Sequence, residues 1–213
     1  MLSLVTLETE KDTTAAALPV MEKFYTIQGE GAFQGSAAYF IRLGGCDVGC
    51  VWCDVKESWD ASMFPQEVPL TLASTAAATG AQNAGVTGGE PALYNLSVLT
   101  RDLKQAGLRT HIETSGVYPL TGHWDWICFS PKKFKAPDPA IFPRADELKV
   151  IVYNPSDFPW AEDFAARVRT DCELFLQPEW SKEKEMLPLI IDYVKANPQW
   201  KISLQIHKYM NIP

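Results

Sequence analysis

Ala37-Ala38-Tyr39-Phe40-Ile41-Arg42-Leu43 runs without a break into Gly44-Gly45-Cys46-Asp47-Val48-Gly49-Cys50-Val51-Trp52-Cys53-Asp54. The first stretch is apolar, β-branched or aromatic apart from Arg42, which predicts a strand. That strand feeds a loop holding three of the chain's five cysteines, spaced C-x3-C-x2-C with an aromatic just before the last thiol. Three thiolates this close form a soft, anionic cage suited to iron–sulfur or zinc. Three is one short of the usual four, so a four-iron cluster held here keeps one iron open to a non-protein ligand. A structural zinc site needs a fourth Cys or His, usually from a second knuckle, and the sequence has no second C-x2-C and no H-x3-H. Cys128 and Cys172 stand alone in apolar, strand-like runs.

Working outward from the cysteines, strand and helix patterns alternate. Leu72 to Ala84 is alanine-rich and helix-permissive. Val86 leads into Thr87-Gly88-Gly89-Glu90-Pro91. Leu96, Leu99, Leu103 and Ala106 at helical spacing predict a helix over 93–106, stopped by Gly107. Strands are predicted over 108–113, 124–129, 147–153, 173–176 and 201–206, and helices over 155–169 and 181–197. Ser181 opens the last helix and Pro198 stops it. This alternation predicts parallel βαβ units. About six parallel strands with few long helices predict an α/β fold of the incomplete, TIM-like barrel kind, not a closed eight-stranded one. In such architectures sites gather at the C-terminal ends of the strands. The cysteine loop, Gly88-Gly89-Glu90, Glu113-Thr114-Ser115-Gly116, Ser130-Pro131-Lys132, Gln177-Pro178 and His207 all fall there.

The length of 213 residues suits one domain with a sizeable core. The expected division is a poorly ordered extension over 1–18 and a single domain over 19–213. The net charge of −7 argues against non-specific binding to nucleic acid, which needs a basic footprint. No apolar run is long enough to span a bilayer, and the first residues lack the basic and apolar regions of a secretory signal. Clustered cysteines in such a chain point to a reducing compartment, the cytoplasm, and to a metal role, not to disulfides.

The cysteine loop resembles that of the radical S-adenosylmethionine (SAM) enzymes, in which SAM binds the open iron of a [4Fe-4S] cluster held by three cysteines. Cys46, Cys50 and Cys53 are then the cluster ligands. Alone, Thr87-Gly88-Gly89-Glu90-Pro91 reads most simply as a Gly-Gly-Pro turn. After a cysteine loop of this kind it resembles the segment that holds the methionine amino group, with Glu90 in a structural role.

Tyr25-Thr26-Ile27-Gln28-Gly29-Glu30-Gly31 precedes the first predicted strand, and Gln205-Ile206-His207-Lys208-Tyr209-Met210-Asn211-Ile212-Pro213 closes the chain. With Arg42 between them, these end motifs resemble the 7-carboxy-7-deazaguanine synthase family, radical SAM lyases of the 7-deazapurine (queuosine) pathway. The resemblance covers about residues 20 to 213. It implies 6-carboxy-5,6,7,8-tetrahydropterin as substrate, hydrogen abstraction at C6, ring contraction and loss of ammonia. Substrate contacts are implied at Ile27, Gln28, Gly29, Arg42, Thr87 and the Pro213 carboxylate. SAM contacts are implied at Trp52, Cys53, Asp54, Gly89, Ser130, Pro131, Lys132, Gln177, Pro178, Glu179 and Trp180. It also implies a homodimer and an electron donor such as flavodoxin or ferredoxin.

The residue types agree with several of these roles. Arg42 offers a planar fork for a carboxylate, and strand alternation turns it opposite to Ile41 and Leu43. A pterin edge needs donors and acceptors together, which suits Gln28 and a terminal carboxylate. His207 either donates to the substrate or caps the strand end. Trp52 either covers the cofactor adenine or packs in the core. Glu113-Thr114-Ser115 serves equally as a strand end or as a cofactor contact, and Lys133 and Lys135 read as a solvated or substrate-steering patch. A chain closing on Ile212-Pro213 is expected to lose activity when tagged at that end.

One position departs from the family. The residue after Cys53-Asp54 is normally Thr or Ser, whose hydroxyl helps hold Mg²⁺, and here it is Val55, which brings no oxygen to a cation that needs oxygen ligands. Weak or absent Mg²⁺ dependence is expected. Two other readings remain: a radical SAM enzyme of another substrate class, such as a glycyl-radical activase, and a non-catalytic zinc-binding protein. The activase has no need of the paired end motifs, and the zinc protein predicts no SAM cleavage.

Overall fold

The computed structural model describes residues 16–213. The strands are β1 (Leu18–Ile27), β2 (Ala37–Leu43), β3 (Gln66–Glu67), β4 (Asn83–Gly88), β5 (Arg109–Thr114), β6 (Trp126–Phe129), β7 (Glu147–Val152), β8 (Glu173–Pro178) and β9 (Trp200–Ile202). They form one sheet in the order β3-β1-β2-β4-β5-β6-β7-β8-β9. From β2 to β9 every pairing is parallel, and β1 joins β2 and β3 antiparallel. The helices are α1 (Pro69–Ala78), α2 (Ser97–Gln105), α3 (Asp157–Ala165), α4 (Glu183–Ala196) and α5 (Ile206–Met210). The sheet does not close on itself, so the partial barrel expected from the sequence is what forms, with seven parallel strands where about six were expected.

Alternation along the strands builds two unlike faces. In β7, Leu148, Val150 and Val152 belong to the hydrophobic core, with Leu99 and Leu103 of α2, Leu72 and Ala76 of α1, and Met186 and Ile190 of α4. Each Leu, Val, Ile or Met among them, buried, contributes about 1.5–3 kcal/mol. The alternate residues Glu147 and Lys149 are buried on the other face and make polar contacts with Glu30, Ala32 and Glu113. The barrel interior is therefore a polar chamber and the apolar core lies outside it, under the helices.

Several elements differ from the sequence expectation. β1 was not foreseen: Glu22 and Lys23 interrupt its apolar pattern, and both find cross-strand partners, Arg42 and Glu67. The strand expected over 201–206 ends at Ile202, because the backbone N–H of Ile206 donates to the Gly29 carbonyl (3.0 Å) and opens the short α5. The helix expected over 72–84 occupies 69–78, which leaves Asn83 and Ala84 to β4. The helix expected over 93–106 begins at Ser97, after a 3-10 turn at Pro91–Leu93. The extension expected over 1–18 lies outside the described residues as far as residue 15, and β1 begins at Leu18.

Two junctions position the site. At the ends of β2 and β4, Leu43 pairs with Gly88, whose φ is +134° and whose missing Cβ would lie 2.1 Å from the Leu43 carbonyl oxygen. Only glycine lets the strands close here, and it brings Gly89 and Glu90 against the cysteine loop. On the open side, residues 203–206 cross from β9 to the loop after β1. Ser203 Oγ accepts from the Gly31 N–H (2.9 Å) there.

Candidate active site

The cysteine loop leaves the C-terminal end of β2. The Cys46 N–H donates to the Trp59 carbonyl (3.2 Å) and that of Cys53 to the Cys50 carbonyl (3.1 Å). All three thiols are free. Asp47 accepts from Lys135 (2.7 Å) and from the Tyr118 hydroxyl, and Asp54 pairs with Lys208 (2.9 Å), so the loop is tied to opposite rims. Burial pushes the Cys46 thiol up, and it pushes Cys50 up to about 11 although Lys132 opposes it. Such thiols hold their protons until a metal displaces them.

A [4Fe-4S] cluster fits this donor set. The three free thiols are soft ligands, and beside them Gly89 carries no side chain: a Cβ there would lie 2.2 Å from the Gly45 oxygen and 2.9 Å from Cys46 Cβ. Only glycine allows this close packing of the turn on the cysteine loop, and Gly89 lines the cavity beside the thiols. Among the described residues no three of His, Cys, Asp or Glu close on a single metal ion.

Glu90 is buried, and its carboxylate accepts from the N–H groups of Ala92 (2.9 Å) and Ser115 (2.8 Å) and from the hydroxyls of Thr114 (2.5 Å) and Ser115. Four donors saturate it. It locks the Gly88-Gly89 turn to the end of β5, so the Glu113-Thr114-Ser115 segment works through Glu90 as a brace.

A cavity of about 500 Å³ opens at the C-terminal ends of the strands, beside the three cysteines. On the cysteine side it is lined by Trp52, Asp54, Val55, Ser130, Lys132 and Gln177 as well as Gly89. Ile27, Gln28, Gly29, Arg42, Thr87, His207 and Pro213 line it as well. Pro131, Pro178, Glu179 and Trp180 do not line it. Trp180 lies outside the lining with its ring 5.5 Å from that of Tyr209 and the Lys208 ammonium 4.8 Å above it.

Arg42 faces the cavity, and its Nε donates to Glu22 (2.5 Å), which leaves its two terminal nitrogens available. Gln28 is buried. Its Oε1 accepts from the Glu30 N–H (3.1 Å) and its Nε2 donates to Glu113 (3.4 Å). His207 covers Gly29, where a Cβ would lie 2.2 Å from its Nδ1, and burial lowers its pKa. Trp52 packs edge-on against Phe134 at 6.1 Å. Lys132 turns its ammonium onto the hydroxyl (2.6 Å) and carbonyl (2.8 Å) of Ser130. Lys133 pairs with Asp157 and Lys135 with Asp47, and both side chains still reach solvent.

Sequence reasoning missed the floor. Lys149 of β7 is buried, and its ammonium bridges Glu30 (2.7 Å) and Glu113 (2.8 Å), while Gln205 donates to the other Glu30 oxygen (2.9 Å). Burial disfavours the Lys149 cation, but the anions around it outweigh burial and raise its pKa well above the ordinary value. Burial would raise Glu113, yet Lys149 and His111 hold it down to about 2, and Lys149 lowers Glu30 in the same way. The available signal was the lysine itself: in a central parallel strand beside Leu148, Val150, Ile151 and Val152, a charge survives only when paired.

Comparison with known proteins agrees with this geometry. The radical SAM superfamily profile matches residues 40–128. The chain is 57% identical to the 7-carboxy-7-deazaguanine synthase of Flavobacterium psychrophilum over 92% of its own length and 93% of that protein. It is 47% identical to the 7-carboxy-7-deazaguanine synthase of Synechocystis sp., over 91% of its own length and 93% of that protein. The crystal structure of QueE from Escherichia coli superposes with a TM-score of 0.77 at 31% identity, covering 88% of this chain and 93% of that one. These relatives favour the deazapurine reading over the activase and zinc-binding readings. With its open parallel barrel, its three free thiols beside a glycine turn and these relatives along most of its length, the chain belongs to the 7-carboxy-7-deazaguanine synthase family of the radical SAM superfamily.

Proposed function

We propose that this chain converts 6-carboxy-5,6,7,8-tetrahydropterin to 7-carboxy-7-deazaguanine with loss of ammonia. The observation that carries the reading is one cavity that brings together the three thiols, Arg42 and the two end motifs, which are 175 residues apart at Glu30 and Gln205 yet hydrogen-bonded there. A [4Fe-4S] cluster held by Cys46, Cys50 and Cys53 supplies the one-electron chemistry that cleaves SAM.

The protein's own part is placement and exclusion of water. The free edge of the Arg42 guanidinium pairs with the substrate carboxylate, while Glu22 fixes the Nε side. Gln28 and Glu113 present an acceptor-rich edge to the pterin, and Thr87, in register beside Arg42 on β4, adds a hydroxyl. His207, held neutral by burial, and Pro213 close the cavity from the tail. On the cofactor side, Gly89 offers its backbone to the methionine end, and Trp52, Ser130, Lys132 and Gln177 line the wall, with Pro131, Pro178, Glu179 and Trp180 outside the lining.

Mg²⁺ plays little part in this reading. Val55 lines the cavity without a side-chain oxygen. A small redox protein such as flavodoxin or ferredoxin supplies the electron. A homodimer covers the exposed Met63, Val68 and Leu70 around β3 and α1. A cytoplasmic setting accords with five free cysteines, and no helix among the described residues is long and apolar enough to cross a membrane.

The test is an anaerobic assay of the reconstituted protein with SAM, a reductant and 6-carboxytetrahydropterin, read by mass spectrometry. Appearance of 7-carboxy-7-deazaguanine is expected. Cleavage of SAM to 5′-deoxyadenosine without that product would keep the radical chemistry and overturn the substrate.

A further inference from the structure

The lower end of the barrel holds a second, much smaller cavity of about 20 Å³, at the N-terminal ends of β2, β4, β5 and β6. A volume of this order takes one water-sized molecule. Phe33 and Trp126 wall it with rings 4.9 Å apart, and the Arg109 guanidinium stands 5.5 Å from the Phe33 ring. Gln28 lines both this chamber and the catalytic cavity above it.

His111 is the partition between the two. It lines the chamber, and its Nε2 is buried, has no hydrogen-bond partner and stands 3.5 Å from Glu113 Oε1 in the catalytic floor. An orphaned buried nitrogen costs stability, and packing alone would be served by an apolar side chain. Burial pushes the imidazole down to about 4, so at neutral pH it carries one N–H and one lone pair.

We propose that the lower chamber binds a single water molecule and that His111 relays protons between this water and Glu113. The inference rests on the function proposed above. Loss of ammonia breaks one C–N bond, the nitrogen keeping the bonding pair. The hydrogens that complete ammonia are given up by the ring, so the conversion consumes no oxidant or reductant overall. Those hydrogens that move as protons need a route while cofactor and substrate fill the upper cavity, and the chamber supplies one from below. In either direction one N–H bond of the imidazole forms as the other breaks, and the water exchanges its proton with Asp125, which also lines the chamber and reaches solvent, so protons and charge balance.

The test compares wild type with His111→Phe and His111→Gln, measuring kcat, KM and the solvent deuterium isotope effect, with thermal melts as a check on folding. His111→Phe fills the space without a titratable ring and is expected to lower kcat about tenfold or more with KM unchanged, and to enlarge the isotope effect. His111→Gln keeps a polar group but lacks the second ring nitrogen, and is expected to behave alike. If His111→Phe does not fold, His111→Gln carries the same test. A crystal structure of the wild type is expected to show one water in the chamber. A dry chamber, or a variant with wild-type kcat and isotope effect, overturns the relay. An inert wild type would sink the proposed function and the relay with it, whereas an active wild type beside an equally fast variant sinks the relay alone.

Discussion

Lys149 decides more at the residue scale than any cysteine. It is the buried cation between Glu30 and Glu113, and without it two carboxylates face each other across the cavity floor. Breaking such a buried group by removing one partner costs about 3–5 kcal/mol. Lys149→Met is therefore expected to lower stability by that amount in denaturant melts, and Lys149→Met with Glu113→Gln to recover part of the loss. A single variant as stable as wild type would contradict the pairing. Val55 makes the opposite kind of statement, since its effect lies in an atom it lacks. Restoring Val55→Thr is expected to raise the stimulation of product formation by Mg²⁺, and an unchanged metal response would count against a lost ligand. Cys46, Cys50, Cys53, Arg42 and Val55 were legible because their chemistry is local or is read against a motif. Lys149 and His111 were not, because an inward position on a strand becomes a site only when β1, β5 and β7 meet.

At the scale of elements, the junction of β2 with β4 carries the site. The φ of +134° at Gly88 and the closeness of the Leu43 oxygen leave no space for a methyl group. Gly88→Ala is expected to destabilise the fold by about 2 kcal/mol or more and to abolish binding of SAM, read by calorimetry on the reconstituted protein. Binding at wild-type affinity would show that the turn tolerates displacement. β2 and β5 to β8 were readable because central strands bury both faces and their apolar runs are bounded by turn residues. β1 and α5 were not. β1 is antiparallel and partly exposed, with its charges paired across strands. In α5 the strand-like alternation of Ile202, Leu204 and Ile206 is overridden by the bond from Ile206 to Gly29.

For the whole molecule, a polar interior inside an apolar jacket predicts sensitivity to acid. His111 is lowered from 6.5 to about 4 by burial, so the unfolded chain takes up its proton first as pH falls. The stability it contributes is complete above about pH 6.5 and is lost progressively down to about 4. Glu113 is lowered from 4.5 to about 2, and its contribution is lost between those values. The melting temperature is expected to fall in two overlapping steps below neutrality. His111→Gln is expected to remove the upper step, and a flat profile between pH 6.5 and 4 would refute this. The crossing of residues 203–206 from β9 to the loop after β1 also fixes an order of events in time. Gly29 leaves the ribosome long before Ile206, so during synthesis the cavity stands without one wall while the strands between them are already available to pair. Iron loaded in that interval would meet cysteines open to water and oxygen, which makes residues 203–206 the segment that turns a folded sheet into a protected site.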